Sequence, residues 1–359
     1  MVNTHPFFKY FKPGQKKLDR RMKETLLYQK KEGKRVVCNT CPRRCQLESG
    51  QKGFCRVREN IEGTLELLTY GKAVAAGVDP VEKKPFFNFA PGTRAFSIST
   101  MGCTLDCDFC QNASISREWD EIQGQDMPPE EVVRQTKRNR CQGIAYTYTE
   151  PTVFLEYCLD TMDIAEDEKY NVFVSNGFMT PETVERVSEK LDAINIDLKG
   201  DKKFYREHCA VPDPEPIFEA IKKFSEKDVH LELTSLIIPG ENDSEEDIRE
   251  RVRWIRENTG KDTPLHLSRF HPARNLLDKP PTPLETLEKA LEIAKEEGLE
   301  YVYCGNVPGH ESESTYCPSC GELVIKRKGY RVKEMRLEGR KCAGCGKELN
   351  VRGVEYMQN

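Results

Sequence analysis

Cys103, Cys107 and Cys110 stand in the spacing C-x3-C-x2-C. Three thiolates so placed can bind three irons of a four-iron cubane. The fourth iron is then left without a protein ligand, the open position that a catalytic metal requires. The competing reading is a three-cysteine zinc site completed by a distant histidine. Gly102 before the motif, Phe109 inside it and a β-rich run just upstream favour the cluster.

The chain has 15 cysteines, and two further groups flank this one. Cys317-Pro318-Ser319-Cys320 and Cys342-Ala343-Gly344-Cys345 form two C-x2-C knuckles. That pattern points to zinc in four thiolates, with a rubredoxin-like single iron as the alternative. Gly321 and Gly346 follow the knuckles and permit tight turns. The N-terminal group, Cys38, Cys41, Cys45 and Cys55, reads C-x2-C-x3-C-x9-C. Zinc and a second iron–sulfur cluster both fit that donor set. Cys141, Cys158, Cys209 and Cys304 are isolated and expected to be small buried hydrophobes. Cys304 could also serve as a hydrogen-atom donor, the less favoured reading. His266 and His271 could face a site, although a hydrogen-bonded core or rim histidine is the stronger expectation for each.

Seven β-rich runs (95–100, 143–148, 171–176, 193–198, 230–237, 264–269 and 300–304) must position these groups. Helical patterns at 129–138, 153–168, 181–190, 216–226, 244–258 and 283–297 separate them. Several open on proline or on a serine followed by acidic residues, as helix N-termini do. The alternation predicts parallel βαβ units and hence an α/β fold, a partial or full (β/α) TIM-like barrel, with a doubly wound open sheet as runner-up. In a barrel, chemistry gathers at the carboxyl ends of the strands. Gly102-Cys103, Thr149-Glu150-Pro151, Ser175-Asn176-Gly177, Asp197-Leu198-Lys199 and Arg269-Phe270-His271-Pro272 all follow strands directly.

The expected organisation is an N-terminal arm with a cysteine-rich metal module over 1–90, the barrel over 91–312, and a zinc-ribbon or rubredoxin-like module over 313–359. The Lys-rich stretch before Val36 is expected to be a helix or an arm packed on the body. A chain of 359 residues can bury a full core without disulfides. With 37% hydrophobic and 32% charged residues it is globular, not disordered. A net charge of −4 gives no reason to expect nucleic acid. The basic run Lys326-Arg327-Lys328 is expected to be a solvated hairpin face. Residues 1–21 lack an apolar signal region and no apolar stretch reaches 18 residues, so the expectation is a cytoplasmic protein with reduced thiols and no membrane contact.

The chain resembles the radical S-adenosylmethionine (SAM) superfamily. It is most similar to the AmmeMemoRadiSam-system radical SAM enzymes, a group related to pyruvate formate-lyase activating enzyme. The residues that carry the likeness run almost the whole length. They are Cys38-Asn-Thr-Cys41-Pro-Arg-Arg-Cys45, Asp79-Pro-Val-Glu-Lys-Lys-Pro85, Gly102-Cys103 through Cys110-Gln111-Asn112, Tyr146-Thr-Tyr-Thr-Glu-Pro151, Asp197-Leu-Lys199 and Gly305-Asn306. The resemblance implies a [4Fe–4S] cluster that cleaves SAM reductively to a 5′-deoxyadenosyl radical, which abstracts hydrogen from an unidentified substrate, a protein among the candidates. It implies an electron donor such as ferredoxin or flavodoxin. By position, it implies that Thr149 and Glu150 meet the SAM amine, that Ser175, Asp197 and Lys199 lie near its carboxylate and ribose, and that Phe109 covers the adenine. The second-strand motif of the superfamily is usually glycine-rich, and Tyr148-Thr149 departs from it. An ordinary ion pair is the other reading of Asp197 and Lys199. Activation of a glycyl-radical enzyme is an alternative function, and a non-catalytic zinc-ribbon binding protein a further one.

Overall fold

The structure is a computed structural model that describes residues 9–10, 22–165 and 168–358. The chain folds as two compact units: Met1–Asp79, Arg94–Asp106 and Cys110–Asp192 form the first, and Pro80–Thr93, Cys107–Phe109 and Ala193–Asn359 the second. Both are α/β.

In the first unit, strands β1 (Ala75–Pro80), β2 (Arg94–Ser99), β3 (Gly143–Tyr146) and β4 (Tyr170–Ser175) lie side by side in chain order. β2–β3 and β3–β4 pair in parallel, with Ala95 opposite Gly143 and Gly143 opposite Tyr170. Every residue of β2 after Arg94, and all of β3, is buried. Such continuous burial, in place of alternation, is the mark of a parallel sheet covered on both faces. Helix α1 (Pro129–Arg138) starts with Pro129, carries Glu130 and Glu131 in its first turn and closes on Lys137 and Arg138, so its charges oppose the dipole at both ends. The helix expected over 153–168 is divided. A 3₁₀ turn over Pro151–Phe154, capped by the Glu150 side chain, leads into α2 (Leu155–Ala165). The end of that expected helix falls partly on residues 166 and 167, outside the described residues. Helix α3 (Pro181–Ser188) is capped by Thr180.

In the second unit, β5 (Ala193–Asp197), β6 (His230–Ile237), β7 (Leu265–Arg269) and β8 (Val302–Gly305) pair in parallel in chain order. The intervening helices are α4 (Lys202–His208), α5 (Glu215–Ser225), α6 (Glu245–Thr259) and α7 (Leu284–Glu296). Ser244 caps α6 by accepting from the Asp247 amide. Sequence reasoning missed α4, although its signal was present: Asp201 accepts from the Phe204 amide at 2.7 Å, an N-cap three residues ahead of an apolar pair. It also missed β1.

Over the described part of the stretch before Val36, the packed arm holds and the helix does not: Lys23 Nζ donates to Asp160 Oδ2 at 2.9 Å and the Leu26 amide to Glu156 Oε1 at 3.0 Å. Residues 1–8 and 11–21 lie outside the described residues. From Met22 onward the chain is not helical: strands Lys23–Glu24 and Tyr28–Lys30 are followed by a 3₁₀ turn at Glu32–Lys34, where Gly33 and Lys34 take positive φ. Tyr28–Lys30 pairs antiparallel with Val36–Cys38, which pairs with Gln46–Leu47, and Val36, Cys38, Leu47 and Leu65 make a small core.

At the other end, Thr315–Tyr316, Leu323–Lys328 and Arg331–Met335 form an antiparallel sheet over a core of Val324, Ile325, Leu349 and Val351. The basic run corrects the solvated-face expectation at its centre. Lys326 and Lys328 are exposed, but strand alternation turns Arg327 inward. There it reaches Glu82 at 3.5 Å, donates to Thr315 Oγ1 at 2.8 Å and lies over the Phe87 ring. Among the described residues no helix is long and apolar enough to cross a membrane.

Candidate functional site

Gly102 opens the central motif at φ 101°. A Cβ there would sit 2.9 Å from the Cys55 carbonyl oxygen and from Val57 Cγ1, so only glycine lets the chain turn into Cys103. Cys103 Sγ accepts from the Leu105 amide at 3.4 Å and from Asn176 Nδ2 at 3.6 Å. Asn176 is carried at the end of β4 and also donates to Thr104 Oγ1 at 3.0 Å. Cys110 Sγ lies 3.3 Å from Ser116 Oγ.

Cys107, Asp108 and Phe109 belong to the second unit and are anchored there. Arg274 donates to the Cys107 carbonyl at 2.7 Å, the Asp108 amide to the His208 carbonyl at 2.9 Å, and the Asn275 amide to the Asp108 carbonyl at 2.8 Å. His208 bridges Asp108 Oδ2 and Glu241 Oε2 at 3.3 and 2.9 Å. Hydrogen bonding with the Cys209 thiol, and then burial, push the Cys107 thiol well above its ordinary range. Sequence reasoning missed His208, Arg274, Asn275 and the proximity of Cys209. No motif announces these residues, because they meet the cysteine loop only through folding.

The donor set fits an iron–sulfur cluster. Cys103, Cys107 and Cys110 keep partial exposure, whereas the isolated Cys141, Cys158, Cys209 and Cys304 are buried. Cys103 Sγ is already supplied with N–H donors, which stabilise a thiolate.

The residues expected near SAM divide between the units. Glu150, Thr149 and Ser175 are in the first. Glu150 is buried, and Oε1 accepts from the Thr152 amide, Thr152 Oγ1 and Ser175 Oγ at 3.0, 2.6 and 2.8 Å, while Oε2 accepts from the Asn176 amide at 2.8 Å. Burial lifts its carboxyl above the usual range against the pull of those donors. It thus joins the end of β3 to the end of β4. Thr149 Oγ1 donates to the Thr100 carbonyl at 2.8 Å. Asp197, Lys199 and Phe109 are in the second unit. Lys199 Nζ pairs with Asp197 Oδ2 at 2.7 Å and lies 5.8 Å from the centre of the Phe109 ring, which packs on Phe204. Burial opposes the Lys199 charge, but Asp197, Cys107 and Cys209 outweigh it and hold the ammonium well above its ordinary range.

His266 is a hydrogen-bonded core histidine. Its Nε2 lies 2.6 Å from Glu232 Oε2, His230 Nε2 lies 3.1 Å from Oε1, and the Phe87 and Asn88 amides donate to the same carboxylate. His271 is exposed and Cys304 is buried.

The C-terminal cysteines converge. The sulfurs of Cys317, Cys320, Cys342 and Cys345 all lie within 4.8 Å of one another, with Cys317–Cys345 at 3.6 Å and Cys320–Cys342 at 3.8 Å. Gly321 and Gly346, at φ 75° and 73°, close the two knuckles by donating to the Cys317 and Cys342 carbonyls. This group can hold a metal ion.

Residues 97–252 match the family model described as the radical SAM superfamily. An uncharacterised protein of Methanocaldococcus jannaschii is 44% identical over 334 residues, spanning 92% of this chain and 99% of its own. Among solved structures, a domain of pyruvate-formate lyase-activating enzyme from Bacteroides vulgatus is similar at 21% identity and TM-score 0.39, covering 46% of this chain and 99% of that one. A radical SAM methyltransferase from Sphaerobacter thermophilus is similar at 16% identity and TM-score 0.47, covering 64% and 68%. The chain belongs to the radical SAM superfamily and has its α/β fold. It is a radical SAM enzyme, and membership implies a [4Fe–4S] cluster and SAM.

Proposed function

We propose that Cys103, Cys107 and Cys110 hold a [4Fe–4S] cluster and that the protein uses it to cleave SAM for hydrogen abstraction from a substrate. When bound, the cluster supplies one electron to the SAM sulfonium, giving methionine and a 5′-deoxyadenosyl radical. The observation that carries the reading is the environment of Cys103. The residue is half-buried, follows β2 across a short turn, and its sulfur receives N–H groups from Leu105 and Asn176.

The surrounding residues take roles their contacts support. Glu150 fixes Ser175 and Asn176 through one hydrogen bond to each, and Oε2 retains an acceptor position for the SAM amine. Thr149, tied to β2 through Thr100, orients the same strand end. Lys199 meets the SAM carboxylate as a cation, Asp197 meets the ribose, and Phe109 offers an apolar face to the adenine. Cys317, Cys320, Cys342 and Cys345 hold zinc, because two C-x2-C knuckles bring four thiolates within 4.8 Å of one another as a closed structural site.

The fuller reading follows from the motifs quoted above: an AmmeMemoRadiSam-system enzyme, related to the glycyl-radical activating enzymes, acting in the cytoplasm with a ferredoxin or flavodoxin donor on an unidentified substrate that includes proteins among its candidates. The test is anaerobic. Reconstituted, reduced protein incubated with SAM should yield 5′-deoxyadenosine and methionine in equal amounts, and the Cys103→Ala/Cys107→Ala/Cys110→Ala variant should yield neither. An iron-replete wild type that leaves SAM intact would overturn the reading.

A further inference from the structure

We infer that Cys38, Cys41, Cys45 and Cys55 bind a second iron–sulfur cluster of the four-iron type, and not a single zinc ion.

Both ends of the chain carry four cysteines, and the fold treats them differently. A single tetrahedral zinc with Zn–S of about 2.3 Å requires sulfurs about 3.8 Å apart. Two of the C-terminal pairs reach that spacing, and all four sulfurs lie within 4.8 Å of one another. Among the described residues the N-terminal four do not gather within the 4.8 Å that encloses the C-terminal set. All four instead line one small cavity, whose wall also includes Thr104 and Thr152. Four cysteines around a shared space, their sulfurs not drawn together as around a single ion, suit a cubane, in which each thiolate takes a different iron.

A second observation comes from Arg58, which also lines the cavity. The residue is 2% exposed, and its Nη1 and Nη2 are both taken by Glu156, at 3.1 and 2.6 Å. Its Nε–H is buried and finds no acceptor. An orphaned buried donor is costly, on the order of 1–3 kcal/mol. A cluster in the cavity would present sulfide and thiolate sulfurs able to accept that N–H. The Phe54 amide already donates to Cys45 Sγ at 3.5 Å, within the same wall. Cys38 and Cys55 are buried and Cys41 and Cys45 half-buried, so the site is shielded from water, as an oxygen-sensitive cluster requires.

This cavity is close to the central motif within one unit. Arg43, from the loop between Cys41 and Cys45, donates to the Thr104 carbonyl at 3.1 Å, one residue past Cys103. The second cluster therefore shares a wall with the residues that shape Cys103.

The experiment isolates the site in the full-length chain by removing the first cluster. The Cys103→Ala/Cys107→Ala/Cys110→Ala variant, reconstituted anaerobically, should retain about four irons and about four sulfides per chain, with a Mössbauer spectrum of a four-iron cluster. Adding Cys41→Ser and Cys45→Ser should abolish that iron and sulfide while the zinc at the C-terminal cysteines stays, which reports that the chain remains folded. Two zincs and no sulfide in the first variant would overturn the inference, and so would iron without sulfide. Either failure leaves the central motif untouched, since wild-type SAM cleavage reports on that separately.

Discussion

Asn176 Nδ2 stands 3.6 Å from Cys103 Sγ, although 73 positions of sequence separate the two residues. The contact places a side-chain donor from the end of β4 on the first sulfur after β2. A donor to a ligating sulfur favours the electron-rich form of a cluster, because it stabilises negative charge there. Asn176→Ala should leave iron content unchanged and slow SAM cleavage by about tenfold, equivalent to about 1.4 kcal/mol of lost stabilisation. Iron analysis and 5′-deoxyadenosine formation check it together. Unchanged turnover would remove Asn176 from the mechanism.

The closeness of Cys209 to Cys107 raises the question of a fourth thiolate ligand. Cys209 is buried and packed at the end of α4, and the bound form should keep one iron open to SAM. Cys209→Ala should therefore retain the full iron count and still bind SAM, read by the change in the electron paramagnetic resonance signal on SAM addition. Loss of one iron with loss of that change would make Cys209 a ligand.

Glu232 is a pH-dependent stabiliser. Burial alone would raise its pKa, but the hydrogen bonds and charges of His230 and His266 lower it to about 2. A depressed acid stabilises the fold above its unfolded value of about 4.3, and the contribution is lost as pH falls through that value toward 2. The shift corresponds to about 3 kcal/mol. Glu232→Gln should lower the melting temperature at pH 7 and flatten its dependence below pH 5. A melting curve as steep in acid as the wild type's would contradict the assignment.

Arg327 and Glu82 form a buried ion pair that fastens the C-terminal sheet to the 80–93 segment of its own unit. Breaking a buried pair on one side leaves an uncompensated charge and costs about 3–5 kcal/mol. Arg327→Ala should destabilise the fold by that order in denaturant titration. Arg327→Lys should not restore it, because a lysine cannot reach Glu82, Thr315 and the Phe87 carbonyl together.

Chelation tests the C-terminal metal. The module's core is small, and metal binding of about 10–16 kcal/mol would supply much of its folding energy. Removing the bound metal should raise amide exchange over residues 315–351 and leave β2, β3 and β4 protected. Uniform protection throughout would show that the module folds without its ion.

The sequence alone determined the grouping of the cysteines, the alternation of strand and helix, and the superfamily. Those rest on local signals: the spacing of cysteines, β-branched runs that become buried parallel strands, and caps such as Ser244 and Thr180 that set helix starts. Only the tertiary structure decided which groups meet. That Arg327 turns into the core, that Glu232 gathers two histidines, that Asn176 reaches Cys103, and that one set of four cysteines draws its sulfurs within 4.8 Å of one another while the other lines a cavity are all long-range facts. Hydrogen bonds and sulfur distances between residues tens of positions apart depend on how strands stack and turns close, and no period or motif within one segment encodes them.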